Sequence, residues 1–150
     1  MDFVEAMRAL SDAAGLKVDG EFVSPVEFTV DGLDVVISLD QRTGPDSIVL
    51  HSGLGKVPAQ RELEVYRILL EANMMWSGTG DATLAVNSAT QDALLCYRML
   101  PMKDLEGPGF VAGVSAFVEL ARGWRDFIVA AADEDVSADK IPLQAGMIRG

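Results

Sequence analysis

The fold of this chain is decided by residues 69–87, which read LLEANMMWSGTGDATLAVN. The first part has the apolar spacing of a helix end, and the last part alternates apolar and polar residues as a strand does. Gly78 and Gly80 separate the two, and glycine is the usual residue where a chain leaves a helix with a positive φ. No side chain here is an obvious catalyst. The stretch therefore predicts a helix, a tight turn and a strand in direct succession.

Size and composition favour one self-sufficient domain. The chain has 150 residues, of which 49% are hydrophobic. A chain of this length buries roughly 68% of the surface that its unfolded form exposes, so no disulfide or metal is needed to hold it together. We expect one domain over residues 1–132 and a flexible tail over residues 133–150.

The sequence indicates a cytosolic protein. No apolar run approaches the roughly 20 residues that span a bilayer, so we expect no membrane insertion. The opening Met1-Asp2-Phe3 lacks the basic and then apolar order of a secretory signal. The single cysteine, Cys96, allows no intramolecular disulfide and fits a reducing compartment.

The net charge argues against nucleic acid as a partner. It is -11, and residues 1–50 hold ten acids against Arg8, Lys17 and Arg42. Phosphate binding needs a lysine or arginine surface, and the sequence has no basic cluster. The acid excess instead keeps an apolar chain soluble and favours a basic or neutral partner.

Hydrophobic periodicity predicts the order α-β-β-β-α-β-β-α. Asp2 can cap a first helix, and Asp31-Gly32 is a two-residue hairpin turn between two alternating strands. The predicted elements are a helix to about residue 14, strands over 26–30, 33–39 and 47–51, a loop over 53–58, a helix over 59–76, strands over 82–87 and 92–100, and a helix over 110–128.

Strands in consecutive hairpins predict an antiparallel sheet with three helices packed on it, which is the α+β class. In the fifth strand, Leu94 and Cys96 share one face while Leu95 and Tyr97 share the other. Both faces are largely apolar. We therefore expect this strand to be interior to the sheet.

Few residues could support catalysis or metal binding. His51 is the only histidine, so no two-histidine metal motif can form. Cys96 and His51 could in principle form a thiolate dyad, but burial in an apolar strand would raise the pKa of the thiol. We interpret Cys96 as a structural thiol. We therefore expect no metal ion and no cofactor.

Two further patterns have ordinary structural interpretations. Residues 77–80, Ser-Gly-Thr-Gly, resemble a phosphate loop only in their glycines, because no Lys-Ser/Thr pair follows them. Asp31, Asp34 and Asp40 lie near one hairpin, an arrangement that can form paired carboxylates. Strand positions that face water are commonly acidic, so we interpret these three as solvated surface.

A family resemblance spans about residues 2–130. The positions that carry it are Leu69, Leu70, Glu71, Ala72, Asn73, Gly78, Gly80, Leu84, Leu100, Pro101, Leu105, Phe110, Phe117 and Trp124. With the small size, the acidity and the element order, these positions make the chain resemble the class I chaperones of bacterial type III secretion, the Tir-chaperone-like family. Residues 134–150 extend past the usual end of that family.

The resemblance implies a protein of the bacterial cytoplasm that catalyses nothing and requires no nucleotide. It implies a homodimer that binds the N-terminal segment of a secreted effector, keeps it soluble and non-globular, and supports its secretion. The second helix and fourth strand would form the dimer interface. The candidate interface residues are Leu70, Met74, Trp76 and Leu84.

Two devices would bind the effector segment. One is strand addition, in which the segment pairs with an open sheet edge through main-chain hydrogen bonds. The other is a set of apolar pockets between the first helix and the sheet. The candidate effector-binding residues, some of which must belong to the core, are Phe3, Met7, Leu10, Val26, Phe28, Val30, Val36 and Val49.

Two alternatives remain open from the sequence. A small-ligand enzyme or sensor on a similar dimer would use Asp81, Arg98, Tyr97 or His51 around a cavity. A dimerising scaffold would bind a folded protein. An exposed apolar sheet edge would favour the chaperone, and a closed polar cavity would favour the enzyme.

Overall fold

The computed structural model describes residues 1–15, 20–40, 42, 47–99 and 105–133. Leu100, Pro101 and the predicted tail beyond Asp133 lie outside these ranges. The elements are α1 (Phe3–Ala13), β1 (Val26–Val30), β2 (Leu33–Leu39), β3 (Ile48–Lys56), α2 (Glu62–Asn73), β4 (Thr83–Asn87), β5 (Asp92–Met99) and α3 (Gly107–Ala131), with 3₁₀ turns at Ala59–Arg61 and Met74–Trp76. The predicted element order is confirmed.

The five strands form one antiparallel sheet in the order β1-β2-β3-β5-β4. The α+β class is confirmed, and β5 is interior as predicted. Strands β1 and β4 are the two edges of the sheet. Their exposed main-chain groups decide where another chain could pair.

The hydrophobic core lies on one face of the sheet. Val35, Leu50 and Leu95 point to this face and are fully buried. Buried residues of all three helices belong to the same core, and Trp124 of α3 is its largest fully buried side chain. The opposite face carries half-buried side chains such as Val36 and Val49. A half-solvated antiparallel sheet produces this alternation.

Helix α1 begins with the predicted cap. The backbone N–H of Glu5 donates to the Asp2 carboxylate at 2.8 Å, and the backbone N–H of Asp2 donates to the Glu5 carboxylate at 2.8 Å. This reciprocal arrangement is a capping box, which satisfies two N–H groups that a helix start leaves unpaired. The helix ends at Ala13, and Gly15 follows with a φ of +68°.

Strand β3 is longer than predicted. The expected loop over 53–58 is wrong at its start, because β3 continues to Lys56, which pairs with Asp92 of β5. The register shifts between Gly53 and Gly55, and Gly55 has a φ of +98°. A bulge of this kind disguises a strand in the sequence, since the extra residue interrupts the two-residue alternation.

Helix α2 is shorter than predicted, because it ends at Asn73 rather than at residue 76. The Asn73 side chain turns toward the fourth strand: its Nδ2 donates to the Leu84 carbonyl at 2.9 Å, and the Leu84 N–H donates to Asn73 Oδ1 at 2.9 Å. Met75 and Trp76 follow with φ values of +53°. The apolar spacing typical of a helix continues through these residues in the sequence, but their backbone is not α-helical.

The turn after α2 is fixed from the core. Trp124 Nε1 donates a hydrogen bond to the Gly78 carbonyl at 3.0 Å, and the indole is fully buried. Phe127 packs edge-on against it, with ring centroids 5.4 Å apart.

Within the described ranges, no helix has both the length and the apolar character needed to cross a membrane.

Candidate functional site

An apolar groove lies between α1, β1 and α3. Its volume is about 680 Å³. Its apolar wall residues are Met7, Leu10 and Ala14 of α1, Phe22, Val26, Phe28 and Val30 in and before β1, and Val114 and Val118 of α3. A groove of this size and composition can take several side chains of an extended peptide or one apolar small molecule.

The structure divides the predicted effector-binding residues into three groups. Met7, Leu10, Val26, Phe28 and Val30 line the groove together. By contrast, Phe3 is buried in the core, at 7% exposure. Val36 and Val49 lie on the opposite face of the sheet: Val36 is paired with Glu27 and His51, and Val49 with Ser38 and Arg98.

Sequence reasoning did not single out Phe22, Val114 and Val118 as groove residues. Val114 and Val118 belong to the apolar stripe of α3. The sequence of that stripe does not distinguish residues that pack against the sheet from residues that lie beside it. Phe22 precedes β1 in a segment without periodicity. Only the packing of α1 beside α3 shows that this part of the stripe lines a groove.

The outer edge of β1 forms one wall of this groove. Glu27 and Thr29 line it alongside Val26, Phe28 and Val30, although alternate strand residues point to opposite faces. The groove therefore reaches the main chain of β1. Among the described residues, no hydrogen bond to a main-chain group on the outer side of β1 is present.

The outer edge of β4 is in a different state. Asn73 of α2 bonds both the N–H and the carbonyl of Leu84. These groups are therefore unavailable for pairing with another strand. The sheet offers β1, rather than β4, for strand addition.

The mouth of the groove is acidic. Arg122 lies there, but its guanidinium is bound to the Glu119 and Asp31 carboxylates at 2.6 Å each. Two carboxylates around one guanidinium leave a net negative charge. Glu27 adds a further carboxylate to the lining, so the groove combines an apolar floor with a negative rim.

The β1–β2 turn is bound to α3 at the end of the groove. Besides the Arg122 contact, Arg125 Nη1 donates to the Asp31 carbonyl at 2.8 Å. Asp31 and Gly32 have positive φ values, as a tight hairpin turn requires. These contacts fix β1 at a set distance from α3, which determines the width of the groove.

A second apolar surface lies on α2 and the turn after it. Its members Leu63, Leu70, Met74, Met75 and Trp76 are the exposed large apolar residues of this region. We call these five residues the α2 stripe. Three of the four predicted dimer residues belong to it. The fourth, Leu84, is 4% exposed and lies in the core below α2.

The residues of the rival small-ligand hypothesis are separated. Asp81 and Tyr97 line a small cavity of about 150 Å³ beside α3. His51 and Arg98 belong to the opposite face of the sheet. Burial and, secondarily, the Asp81 charge raise the pKa of Tyr97, so its hydroxyl stays protonated.

The possible Cys96–His51 dyad is a cross-strand pair, since the two residues are register partners in β3 and β5. Burial raises the pKa of the Cys96 thiol, which is the reverse of the activation that a nucleophile requires. Within the described ranges, no group of three or more His, Cys, Asp or Glu could hold a metal ion.

One carboxylate differs from its expected environment. Asp40 is 5% exposed rather than solvated, and it forms ion pairs with Arg98 at 3.0 Å and Arg42 at 3.2 Å. Asp34 accepts a hydrogen bond from Thr29 Oγ1 at 2.6 Å. These acids therefore stabilise the sheet and its turns, and they do not converge on one site.

Comparison with known proteins identifies the family. Residues 24–125 match the Tir chaperone protein (CesT) family. The chain belongs to this family. The matched range includes all five strands, α2 and most of α3 of this family member, so the resemblance in residues 69–87 is confirmed. No curated protein matches its sequence.

Solved structures of similar fold include type III secretion proteins. The ExsC-ExsE complex contains a chain of 18% identity and TM-score 0.64, covering 85% of this family member and 97% of that chain. The ExoU-SpcU complex from the type III secretion system of Pseudomonas aeruginosa contains one of 17% identity and TM-score 0.62, covering 84% and 96%. YbjN from E. coli, a proposed transcription regulator, has 19% identity and TM-score 0.59, covering 84% and 89%. At sequence identities this low, the structural likeness shows the fold alone.

Proposed function

We propose that this chain is a class I type III secretion chaperone that binds the N-terminal segment of a secreted effector in the bacterial cytoplasm. The observation that carries the proposal is the apolar groove, which opens along the free edge of β1. The family membership supports it, as do the ExsC-ExsE and ExoU-SpcU complexes, whose chains share the fold. The chain acts by binding, and no chemical step is required of it.

The effector segment pairs with β1. Main-chain hydrogen bonds to an edge strand do not depend on the sequence of the added segment, so they supply general affinity. Alternate side chains of the segment enter the groove and contact Leu10, Phe28 and Val118. Because the rim is acidic, basic residues that flank the apolar positions are favoured.

Binding also keeps the effector non-globular. A segment extended along β1 cannot build its own core while its apolar side chains lie in the groove. Ordering a disordered segment costs roughly 2–5 kcal/mol of the gross interaction energy. The contact must therefore be long, and two grooves in a dimer would provide this length.

The homodimer forms through the α2 stripe. A twofold interface uses the same patch on both subunits, so one stripe packed on its copy covers the apolar residues of both. Met74 and Met75 suit such a contact because their side chains adapt to irregular surfaces. Leu84 supports the interface from below, by packing under α2.

Substitutions in the groove test the proposal. Phe28→Ser removes an apolar side chain from the β1 wall of the groove, and Leu10→Ser removes one from the α1 wall. We expect each to weaken effector binding roughly tenfold or more, as the loss of a buried apolar side chain predicts. Val36→Ser is the matched control, because it makes a similar change on the opposite face. The measurement is capture of an N-terminal effector fragment co-expressed from a neighbouring gene, with thermal melting to show that each variant is folded.

The outcomes distinguish the hypotheses. Loss of capture in the folded groove variants, with capture retained in Val36→Ser, supports the chaperone. Equal capture by all variants would contradict the proposed site. A chain that captures no effector segment, but melts at a higher temperature with a metabolite, would favour the small-ligand hypothesis.

A further inference from the structure

We propose that residues 140–149 of the chain dock in its own groove as an added strand beside β1, so that an effector must displace them. This inference rests on the proposed function, because it takes the groove and the free edge of β1 as a site for an extended segment. The occupant is part of the same chain. Four observations support it: an alternating pattern, a charge match, a connecting segment of sufficient length and a favourable direction of approach.

The first observation is the alternation of residues 141–147, which read Ile-Pro-Leu-Gln-Ala-Gly-Met. The odd positions Ile141, Leu143, Ala145 and Met147 are apolar. Since side chains of a strand alternate between its two faces, an extended segment here presents one continuous apolar face. Such a face matches the apolar floor of the groove.

The second observation is the charge of the segment. Residues 140–149 contain Lys140 and Arg149 and no acid. These cations flank the apolar positions, and the groove has a negative rim formed by Glu27 and by Asp31 and Glu119, the two acids that bind Arg122. The acids of the tail instead lie in residues 133–139, between α3 and this segment.

The third observation is where α3 ends relative to the groove. Arg122 marks the groove end next to Asp31, and Ala131 lies about 14 Å farther along the helix at 1.5 Å per residue. Residues 134–139 can span about 20 Å when extended. That length allows residue 140 to return to Arg122.

The direction of approach also fits. A chain that returns from α3 meets the groove at the Val30 end of β1, because Arg122 and Arg125 bind Asp31 there. It then runs toward Val26, which is antiparallel to β1. The alternating segment can therefore pair with the edge of β1 as an antiparallel strand. Pro142 is tolerated, since half of the N–H groups of an edge strand point away from the sheet.

Photo-crosslinking in the full-length chain tests the docking directly. One variant carries p-benzoylphenylalanine in place of Leu143, on the apolar face of the segment. The matched control carries it in place of Gln144, on the opposite face. We expect Leu143 crosslinks within one chain to peptides that contain residues 22–30 or 114–122, and a severalfold lower yield from the control. Crosslinks to the α2 stripe, crosslinks between subunits or equal yields from both positions would overturn the proposal.

Groove accessibility gives a second readout. Leu143→Asp should weaken docking of the segment roughly tenfold or more, because the apolar contact of the leucine is lost. The groove is then open more often, so the fluorescence of an apolar dye that binds in it should rise. Gln144→Asp adds the same charge and should leave the fluorescence unchanged. An equal response in both variants would contradict docking. These measurements use no effector, so a result that contradicts docking leaves the proposed function intact. Conversely, a chain that docks its tail but captures no effector would contradict only the proposed function.

Discussion

At the scale of single residues, Asn73 determines two features of the fold. Its side-chain amide pairs with both main-chain groups of Leu84, as a neighbouring strand would. Helix α2 therefore ends against β4, and this edge of the sheet is partly occupied. In the sequence, Asn73 is one of the positions that carry the family resemblance, but nothing there predicts its bonds to Leu84, which lies eleven residues away.

Asn73→Ala should destabilise the chain by about 1–3 kcal/mol, because two part-buried main-chain groups lose their partners. Urea unfolding measures the effect. Asn87→Ala is the control: Asn87 Oδ1 accepts one bond from the exposed N–H of Ala89, which water can replace. If Asn73→Ala cost no more than Asn87→Ala, the Asn73 contact would not stabilise the edge.

Cys96 should react slowly with alkylating reagents. Burial raises the pKa of its thiol, so the thiolate fraction at mildly alkaline pH is smaller than in the unfolded chain. The rate of iodoacetamide modification, measured against pH with and without urea, should rise at higher pH in the folded protein. The same shift makes the folded state lose stability as pH rises through the range of the thiol. The prediction would be contradicted if the pH midpoint of the modification rate in the folded protein were at or below the midpoint measured in urea.

At the scale of elements, the groove is formed by three elements that are distant in sequence. Helix α3 provides one wall, and its Arg122 and Arg125 hold the β1–β2 turn. The other walls are α1 and β1. The sequence predicted the elements and their apolar faces, but the pairing of faces depends on contacts between residues more than ninety positions apart.

Arg122→Met should loosen the β1–β2 hairpin without unfolding the sheet. The substitution keeps an apolar stem and removes the ion pairs to Asp31 and Glu119. Pairs of this exposure contribute up to about 1 kcal/mol, so amide hydrogen exchange in β1 should accelerate roughly two- to fivefold. Arg8→Met is the matched control, because Arg8 is an exposed residue of α1. Unchanged exchange in β1, or equal acceleration in the control, would contradict a role for Arg122 in positioning β1.

At the scale of the whole molecule, the apolar surface that remains exposed is not evenly distributed. The α2 stripe lies at the side of the sheet next to β4, while the groove lies at the β1 side. Exposed patches of this kind mark interaction sites. Self-association and effector binding can therefore use opposite ends of the sheet without competing.

Leu70→Asp should convert a dimer to a monomer, because it buries a carboxylate at the centre of the α2 stripe in both subunits. Light scattering measures the mass. Val129→Asp is the matched control, since Val129 is also a largely exposed apolar residue but lies on α3. A monomeric wild-type chain, or a Leu70→Asp variant that dimerises with unchanged affinity, would contradict this interface.

The sequence by itself determined the order of the elements, the sheet class and the acidic, apolar character of the chain. These properties follow from local periodicity, turn residues and composition. It also identified five of the groove residues, because the apolar faces of α1 and β1 were readable. Only the tertiary structure decided that Phe3 and Leu84 are core, that Val36 and Val49 face away, and that the edge of β1 is free while that of β4 is partly occupied by Asn73. Those outcomes depend on strand register and on side-chain contacts between distant segments, which periodicity within one segment does not specify.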